Sequence, residues 1–337
     1  MRKKVLLSAV FLLFAAAVSL PVAAQNIIPQ PENISLLKGH FKLNKGEKIV
    51  TNLTGSDFKV LNQYTSEVLK HPLASAKNPS KQGTFRLICK GTAHQAAQAM
   101  DSVRLQGYEL EVTPKGITIQ ALTPTGLFYG LQTVRQLEKD GQIACVKVKD
   151  APRFAYRGLM IDCSRHFWSK DFLKKQLDAM AYFKLDRFHW HLTDGGGWRM
   201  EVKKYPRLTD ETAYRTQSDW TKWWMDNDRK YCHKDTPGAY GGYYTQEDIK
   251  DIVRYAAARH IEVIPEIEMP GHSDEVVYAY PEISCTGKPY TQSDLCVGKE
   301  ATYTFMENVL KEVMQLFPSK YIHIGGDEAE RRTWKTC

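Results

Sequence analysis

The chain has 337 residues, 43% hydrophobic and 25% charged, which is enough for two cored domains and too apolar for a disordered polyelectrolyte. Its formal net charge is +8, and Arg2, Lys3 and Lys4 account for three of those charges, leaving +5 dispersed along the rest. That dispersal gives no basic patch, so nucleic acid is not an expected partner.

The N-terminus reads as a secretory signal peptide over residues 1–24: a basic "MRKK", an apolar "VLLSAVFLLFAAAVSL", and small residues in "PVAAQ" for cleavage before Gln25. The alternative is an uncleaved membrane anchor, since the apolar stretch approaches the roughly 20 residues that span a bilayer. Cleavage predicts an exported protein, periplasmic or extracellular, with no stable membrane anchor; no cysteine follows closely enough for a lipoprotein. The oligomeric state is not legible.

Residues 25–150 read as a small α+β domain. "GYELEVTPKGITIQA" alternates apolar and polar residues on both sides of "TPKG", predicting a hairpin with Gly116 taking the turn. "TGLFYGLQTVRQLEKDG" then sets Leu127, Leu131, Val134 and Leu137 on one helical stripe ending at Gly141.

Residues 151–337 alternate short apolar strands with amphipathic helices, the pattern of a parallel α/β sheet covered on both faces. The strands are "GLMIDC", "FHWHL", "IEVIPEIE" and "YIHIGG". The helices are "SKDFLKKQLDAMAYFK", opened by Ser169, "TQEDIKDIVRYAAARH", capped by Thr245, and "ATYTFMENVLKEVMQLF". Polar clusters follow each strand: Asp162 to His166, then Thr193 and Asp194, then Pro270 to His272, then Asp327 and Glu328. At the C-terminal ends of parallel strands such clusters converge in space.

Asp327 and Glu328 form a tandem carboxylate pair behind Gly325 and Gly326. One carboxylate after a strand is usually a helix cap or a solvated loop residue. Two at one pocket repel, which divides them into a proton-holding acid and an ionised partner, the division glycoside hydrolysis requires. Carboxylates also serve metals and aspartyl chemistry, so the pair alone is not decisive. His189 and His191 stand at HxH spacing, a metal-ligand pattern on a strand, with packing as the alternative.

The seven cysteines are odd in number and lack the CxxC spacing that suggests zinc. Cys285 and Cys296, in one predicted loop, are the only pair expected to form a disulfide, with buried free thiols as the alternative. The tryptophan-rich insert from Asp219 to Tyr244 is either a sugar-stacking loop or a packed one.

Several motifs together carry a resemblance. "HIGGDEA", with "YRGLMIDCSRHF", "FKLDRFHWHLTD", "IEVIPEIEMPGHS" and, upstream, "QGYELEV" and "GLFYGLQTVRQL", resembles in the same order the landmarks of glycoside hydrolase family 20, the β-N-acetylhexosaminidases. The resemblance covers nearly all of the chain after the signal peptide. It implies an α/β fold: a small α+β domain followed by a (β/α)8 barrel. It also implies an enzyme, needing no cofactor or metal, that removes terminal GlcNAc or GalNAc from N-acetylhexosamine-containing glycans with retention of configuration. In that scheme the substrate's own acetamido oxygen is the nucleophile. Glu328 is then the general acid and base, Asp327 orients the acetamido group, Arg165 grips sugar hydroxyls, and Asp194 with His272 supports the acid. For Arg165 the alternative is a salt bridge at the barrel mouth, and for His272 a structural histidine.

Two departures from the family pattern stand out. "GGGWR" follows Asp194 where another acidic residue is common, predicting a more flexible loop, and Glu268 stands where Asp is common. The residues after 150 also fall short of the about 250 that a full barrel needs, and they supply the first half of one, about four strands of eight. The chain is therefore expected to be the N-terminal portion of a longer enzyme, inactive by itself. A non-catalytic carbohydrate-binding protein and a metal-dependent barrel hydrolase are the other readings.

Overall fold

The structure, a computed structural model, describes residues 27–337 apart from Asn227 and Gln292. The expected signal peptide lies outside the described residues. The chain divides into two compact units, Met1–Arg153 and Phe154–Cys337.

The first unit is built on one mixed sheet of β1 (Asn33–Lys42), β2 (Ile49–Thr51), β3 (Leu73–Ser75), β4 (Phe85–Cys89), β5 (Tyr108–Thr113), β6 (Gly116–Ala121), β7 (Glu138–Lys139) and β8 (Gln142–Asp150). Seven of them run in the order β1-β8-β5-β6-β4-β2-β3, with β7 beside β8. Its helices are α1 (Gly55–Tyr64), α2 (Ala93–Ala97) and α3 (Pro124–Leu137). The predicted hairpin is β5 and β6, but the turn is Pro114–Lys115 and Gly116 opens the returning strand, opposite Thr113.

Helix α3 starts where Thr123 accepts a hydrogen bond from the Gly126 N–H and Pro124 takes the first turn. Leu127, Leu131, Val134 and Leu137 are all buried, as their spacing predicts, and so are Phe128 and Tyr129 on the flanks. The helix ends at Leu137 rather than Gly141. Asp140 and Gly141 both take positive φ, 55° and 77°, the geometry of a two-residue turn, and they fold β7 back onto β8.

The second unit contains β9 (Gly158–Asp162), α4 (Lys170–Tyr182), β10 (Arg187–His191), α5 (Arg207–Asp210), β11 (Tyr214–Arg215), α6 (Trp220–Met225), β12 (Tyr240–Gly241), α7 (Gln246–Ala257), β13 (Glu262–Glu266), α8 (Asp274–Ala279) and α9 (Glu300–Leu316). Strands β13, β10 and β9 form a parallel sheet in that order. Side chains alternate across it, so Asp162, His191 and Glu266 share one register row and one face. The other face carries Phe188 and Trp190, both fully buried, and the buried Val263.

The helices bury their apolar stripes: Leu173, Leu177 and Met180 on α4, Ile249 and Ile252 on α7, Val309 and Val313 on α9. Their starts follow the predicted caps. Ser169 accepts from the Phe172 N–H, and Thr245 forms a reciprocal capping box with Asp248.

The fourth predicted strand is not a strand. "YIHIGG" makes one isolated parallel bridge, Glu266 to His323. Three further backbone bonds flank it: His323 N–H to the Pro265 carbonyl, Ile267 N–H to His323, and Met269 N–H to Ile324. Tyr321 and Ile324 are 56% and 52% exposed, so burial does not hold the segment straight. Gly325 and Gly326, at φ 63° and 97°, then turn it away.

Candidate active site

Asp194, 1% exposed at the end of β10, is the hub of the site. Its Oδ2 meets Arg165 Nη2 at 2.7 Å and His191 Nε2 at 3.3 Å. Its Oδ1 meets the Gly195 N–H at 2.6 Å and His272 Nδ1 at 3.3 Å. The other nitrogen of His272, Nε2, lies 3.3 Å from Glu328 Oε2. Arg165, Asp194, His272 and Glu328 thus form one continuous chain of contacts across the ends of β9, β10 and β13 and the bridged segment before Glu328. Asp327 immediately precedes Glu328; its side chain is exposed and makes no hydrogen bond among the described residues. The Glu328 side chain is 85% exposed, so the described residues do not enclose the carboxylate pair.

Charge is balanced around the hub. Burial pushes the Asp194 carboxyl up, but His191, His272 and Arg165 together hold it below the usual range. His272 is raised chiefly by its hydrogen bond to Asp194, against the opposing effect of burial. Arg165 also pairs with Asp162 through Nη1 at 2.9 Å, while Asp162 Oδ1 accepts the backbone N–H groups of Ser164 and Arg165. The salt-bridge alternative for Arg165 is therefore present, and its side chain remains 31% exposed.

The histidines of "HWH" point to one face, as alternation requires. His189 Nε2 lies 2.7 Å and His191 Nδ1 2.5 Å from Glu266 Oε2, and His323 Nδ1 lies 2.8 Å from Oε1. This carboxylate under three imidazoles was missed by sequence reasoning, although the inward position of Glu266 follows from strand alternation. Burial opposes both charges, yet hydrogen bonds from His189 and His191 hold Glu266 well below the carboxylate range, and those to Asp194 and Glu266 bring His191 up to about 10. His189, Glu266 and His323, or His191, Glu266 and Glu268, are close enough to hold a cation. In the arrangement present those histidine nitrogens face Glu266, and an ion there would displace their hydrogen bonds.

Burial raises Glu268 to about 7, and the neighbouring charges of Glu266 and Asp194 add to that against the Gly326 N–H, which donates to its Oε2 at 3.1 Å. Its other oxygen has no hydrogen-bond partner among the described residues. The loop after Asp194 is not loose: Gly195, Gly196 and Gly197 are all buried. Arg199 is fully buried and donates to the carbonyls of Cys163, Ser164, Gly196, Ala213 and Gly242. Arg215 adds bonds to Gly196 and Arg165. Gly196 lies so close to the Ser164 carbonyl, 2.7 Å from where a Cβ would sit, that no side chain fits. Sequence reasoning missed Arg199, whose only signal was a charged residue among apolar and glycine positions.

The tryptophan-rich insert is mostly exposed, with Trp223, Tyr231, Gly242 and Tyr244 buried. Trp223 is buried and donates to the Lys230 carbonyl, while Trp224 stays 41% exposed under the Arg229 guanidinium.

The profile described as glycosyl hydrolase family 20, catalytic domain, matches residues 154–337, and that described as glycosyl hydrolase family 20, domain 2, matches residues 24–151. The chain belongs to glycosyl hydrolase family 20.

Relatives within family 20 agree. A beta-hexosaminidase of Porphyromonas gingivalis is 41% identical over 93% of this chain and 40% of its own length. Among solved structures, a beta-N-acetylhexosaminidase from Bacteroides fragilis superposes with a TM-score of 0.73 at 32% identity, covering 90% of this chain and 57% of its own. A mutant Streptomyces plicatus beta-hexosaminidase in complex with product GlcNAc gives 0.72 at 33%, covering 90% and 59%. The chain thus spans about half the length of the family 20 relatives it matches. The α/β fold expected from the resemblance is the fold of these neighbours.

Proposed function

We propose that this chain carries the acid and the orienting carboxylate of an exported β-N-acetylhexosaminidase that removes terminal non-reducing GlcNAc or GalNAc with retention of configuration. The observation that carries the reading is the unbroken line from Arg165 through Asp194 and His272 to Glu328, with Asp327 beside its end.

In this mechanism Glu328 protonates the leaving oxygen while the substrate's acetamido oxygen attacks the anomeric carbon, forming an oxazolinium ring. Asp327 accepts the acetamido N–H and steadies the positive charge that builds on that nitrogen. Glu328, now a carboxylate, takes a proton from the water that opens the ring. His272, held towards its charged form by Asp194, stabilises Glu328 each time it loses its proton. The exposed part of Arg165 offers planar donors to paired sugar hydroxyls.

A closed barrel needs eight strands, so turnover is expected from a chain extended over the relatives' remaining length and not from the 337 residues alone. In that extended protein Glu328→Gln lowers kcat on a nitrophenyl N-acetylglucosaminide by at least about 100-fold. Asp327→Asn impairs it strongly, and turnover left intact by that change would refute substrate assistance. A strong chelator leaves the rate unchanged; its loss would favour the metal-dependent reading of His189 and His191. Export predicts a mature protein beginning at Gln25.

A further inference from the structure

Two cysteines of one loop, Cys285 and Cys296, meet a third, Cys337, in the second unit. The sulfurs of Cys285, Cys296 and Cys337 all lie within 4.8 Å of one another, and those of Cys296 and Cys337 are 3.6 Å apart. All three are free thiols. A disulfide needs about 2.05 Å and would leave the third sulfur unpaired. Tetrahedral zinc, with sulfurs at about 2.3 Å from the ion, sets its ligands about 3.8 Å apart, close to the spacing of the measured pair.

The surroundings favour the thiolate at Cys296, whereas burial and the two neighbouring sulfurs push the Cys285 thiol up. Cys296 is 1% exposed, between the Ser284–Leu295 bridge and Gly298. Burial pushes its thiol up, but hydrogen bonds from Cys285 and from the Gly298 N–H outweigh it and bring the thiol below its ordinary value. Lys299 adds positive charge nearby, and its ammonium is anchored on the Glu282 and Ser284 carbonyls. Cys337 is exposed and gives an ion a route in.

We propose that Cys285, Cys296 and Cys337 form a site for one soft divalent ion of the zinc class, which ties the segment behind Asp327 and Glu328 to the loop before α9. That tie extends contacts already made: the Arg331 N–H donates to Asp294 at 2.8 Å, and Trp334 Nε1 donates to the Leu295 carbonyl at 3.0 Å. Each thiol releases its proton to solvent as its sulfur–metal bond forms, and no electron is transferred. Solvent or an external ligand fills the fourth position, and the role is structural.

The test is titration of the reduced chain with cobalt(II), followed by zinc(II). One equivalent of cobalt should give a thiolate charge-transfer band that one equivalent of zinc abolishes. Cys296→Ser, and separately the exposed Cys337→Ser, which keeps the core intact, should each weaken binding by at least about tenfold. Cys232→Ser, outside the cluster, should leave it unchanged. Absence of a stoichiometric band in the reduced chain, or a band unaffected by both Cys296→Ser and Cys337→Ser, overturns the proposal. So does a mapped disulfide among the three thiols in a chain whose reduced form takes up no cobalt.

Discussion

Gly325 is fixed as glycine by two demands that coincide. Its φ of 63° lies in the left-handed region, and a Cβ there would sit 1.8 Å from Glu268 Oε2. Gly326, at φ 97°, has open space in the same direction. Gly325→Ala is therefore expected to cost more than about 2 kcal/mol and Gly326→Ala about 1 kcal/mol, read as the difference in urea midpoints. Arg199 makes the complementary point about a charge. Among the described residues it has no carboxylate partner, and it spends its donors on five carbonyls of the strand-end loops. Arg199→Lys keeps the charge but not the fork, so it should destabilise by about 3 kcal/mol or more in equilibrium unfolding. That Arg165, Asp194, His272 and Glu328 come together was legible in the sequence because the ends of parallel strands converge, although the segment before Glu328 is bridged and is not a strand. Arg199 and Glu266 were not, since their partners come from segments that only the fold brings near.

Elements follow their local signals wherever the neighbours agree. The stripe of α3 and the caps Ser169 and Thr245 were read correctly because capping and 3.6-residue periodicity are short-range. Thr245→Ala should lower stability by about 1 kcal/mol, and Thr245→Ser should restore most of it, measured by thermal unfolding. The segment "YIHIGG" shows the limit of such reading. Its apolar run is a sound strand signal, but a strand is stabilised by paired edges and buried faces, and here one bridge and two half-exposed apolar side chains are what it has. The tryptophan insert was undecidable in sequence because stacking on a ligand and packing in a core use the same aromatic surface.

At the scale of the whole molecule, pH acts through the buried charges beneath the strand ends. Glu268 is raised from 4.5 to about 7, so its contribution is fully present below pH 4.5 and lost as pH rises through about 7. His191, raised from 6.5 to about 10, contributes stability below 6.5 that is lost on passing about 10. Asp194 and Glu266 are depressed and act in the opposite sense, losing their contribution as pH falls through their folded values. Glu268→Gln mimics the protonated form. It should match the parent near pH 4.5 and exceed it above pH 7 by on the order of 3 kcal/mol, with a flatter dependence of the urea midpoint on pH between 5 and 8. An unchanged slope would mean that Glu268 ionises as an exposed carboxyl does.

The sequence by itself determined what neighbours along the chain can enforce: helix stripes and caps, strand alternation, the α/β order of elements, and the family signature that accompanies Asp327 and Glu328. Tertiary structure alone decided which of those residues touch. Only folding could stack three imidazoles on Glu266, bury Glu268 against a glycine turn, tighten "GGGWR" around Arg199, and gather Cys285, Cys296 and Cys337 without any CxxC spacing. The reason is one of range: backbone propensities act within a few residues, whereas desolvation, charge pairing and ligand geometry depend on distances in space between segments far apart in the sequence.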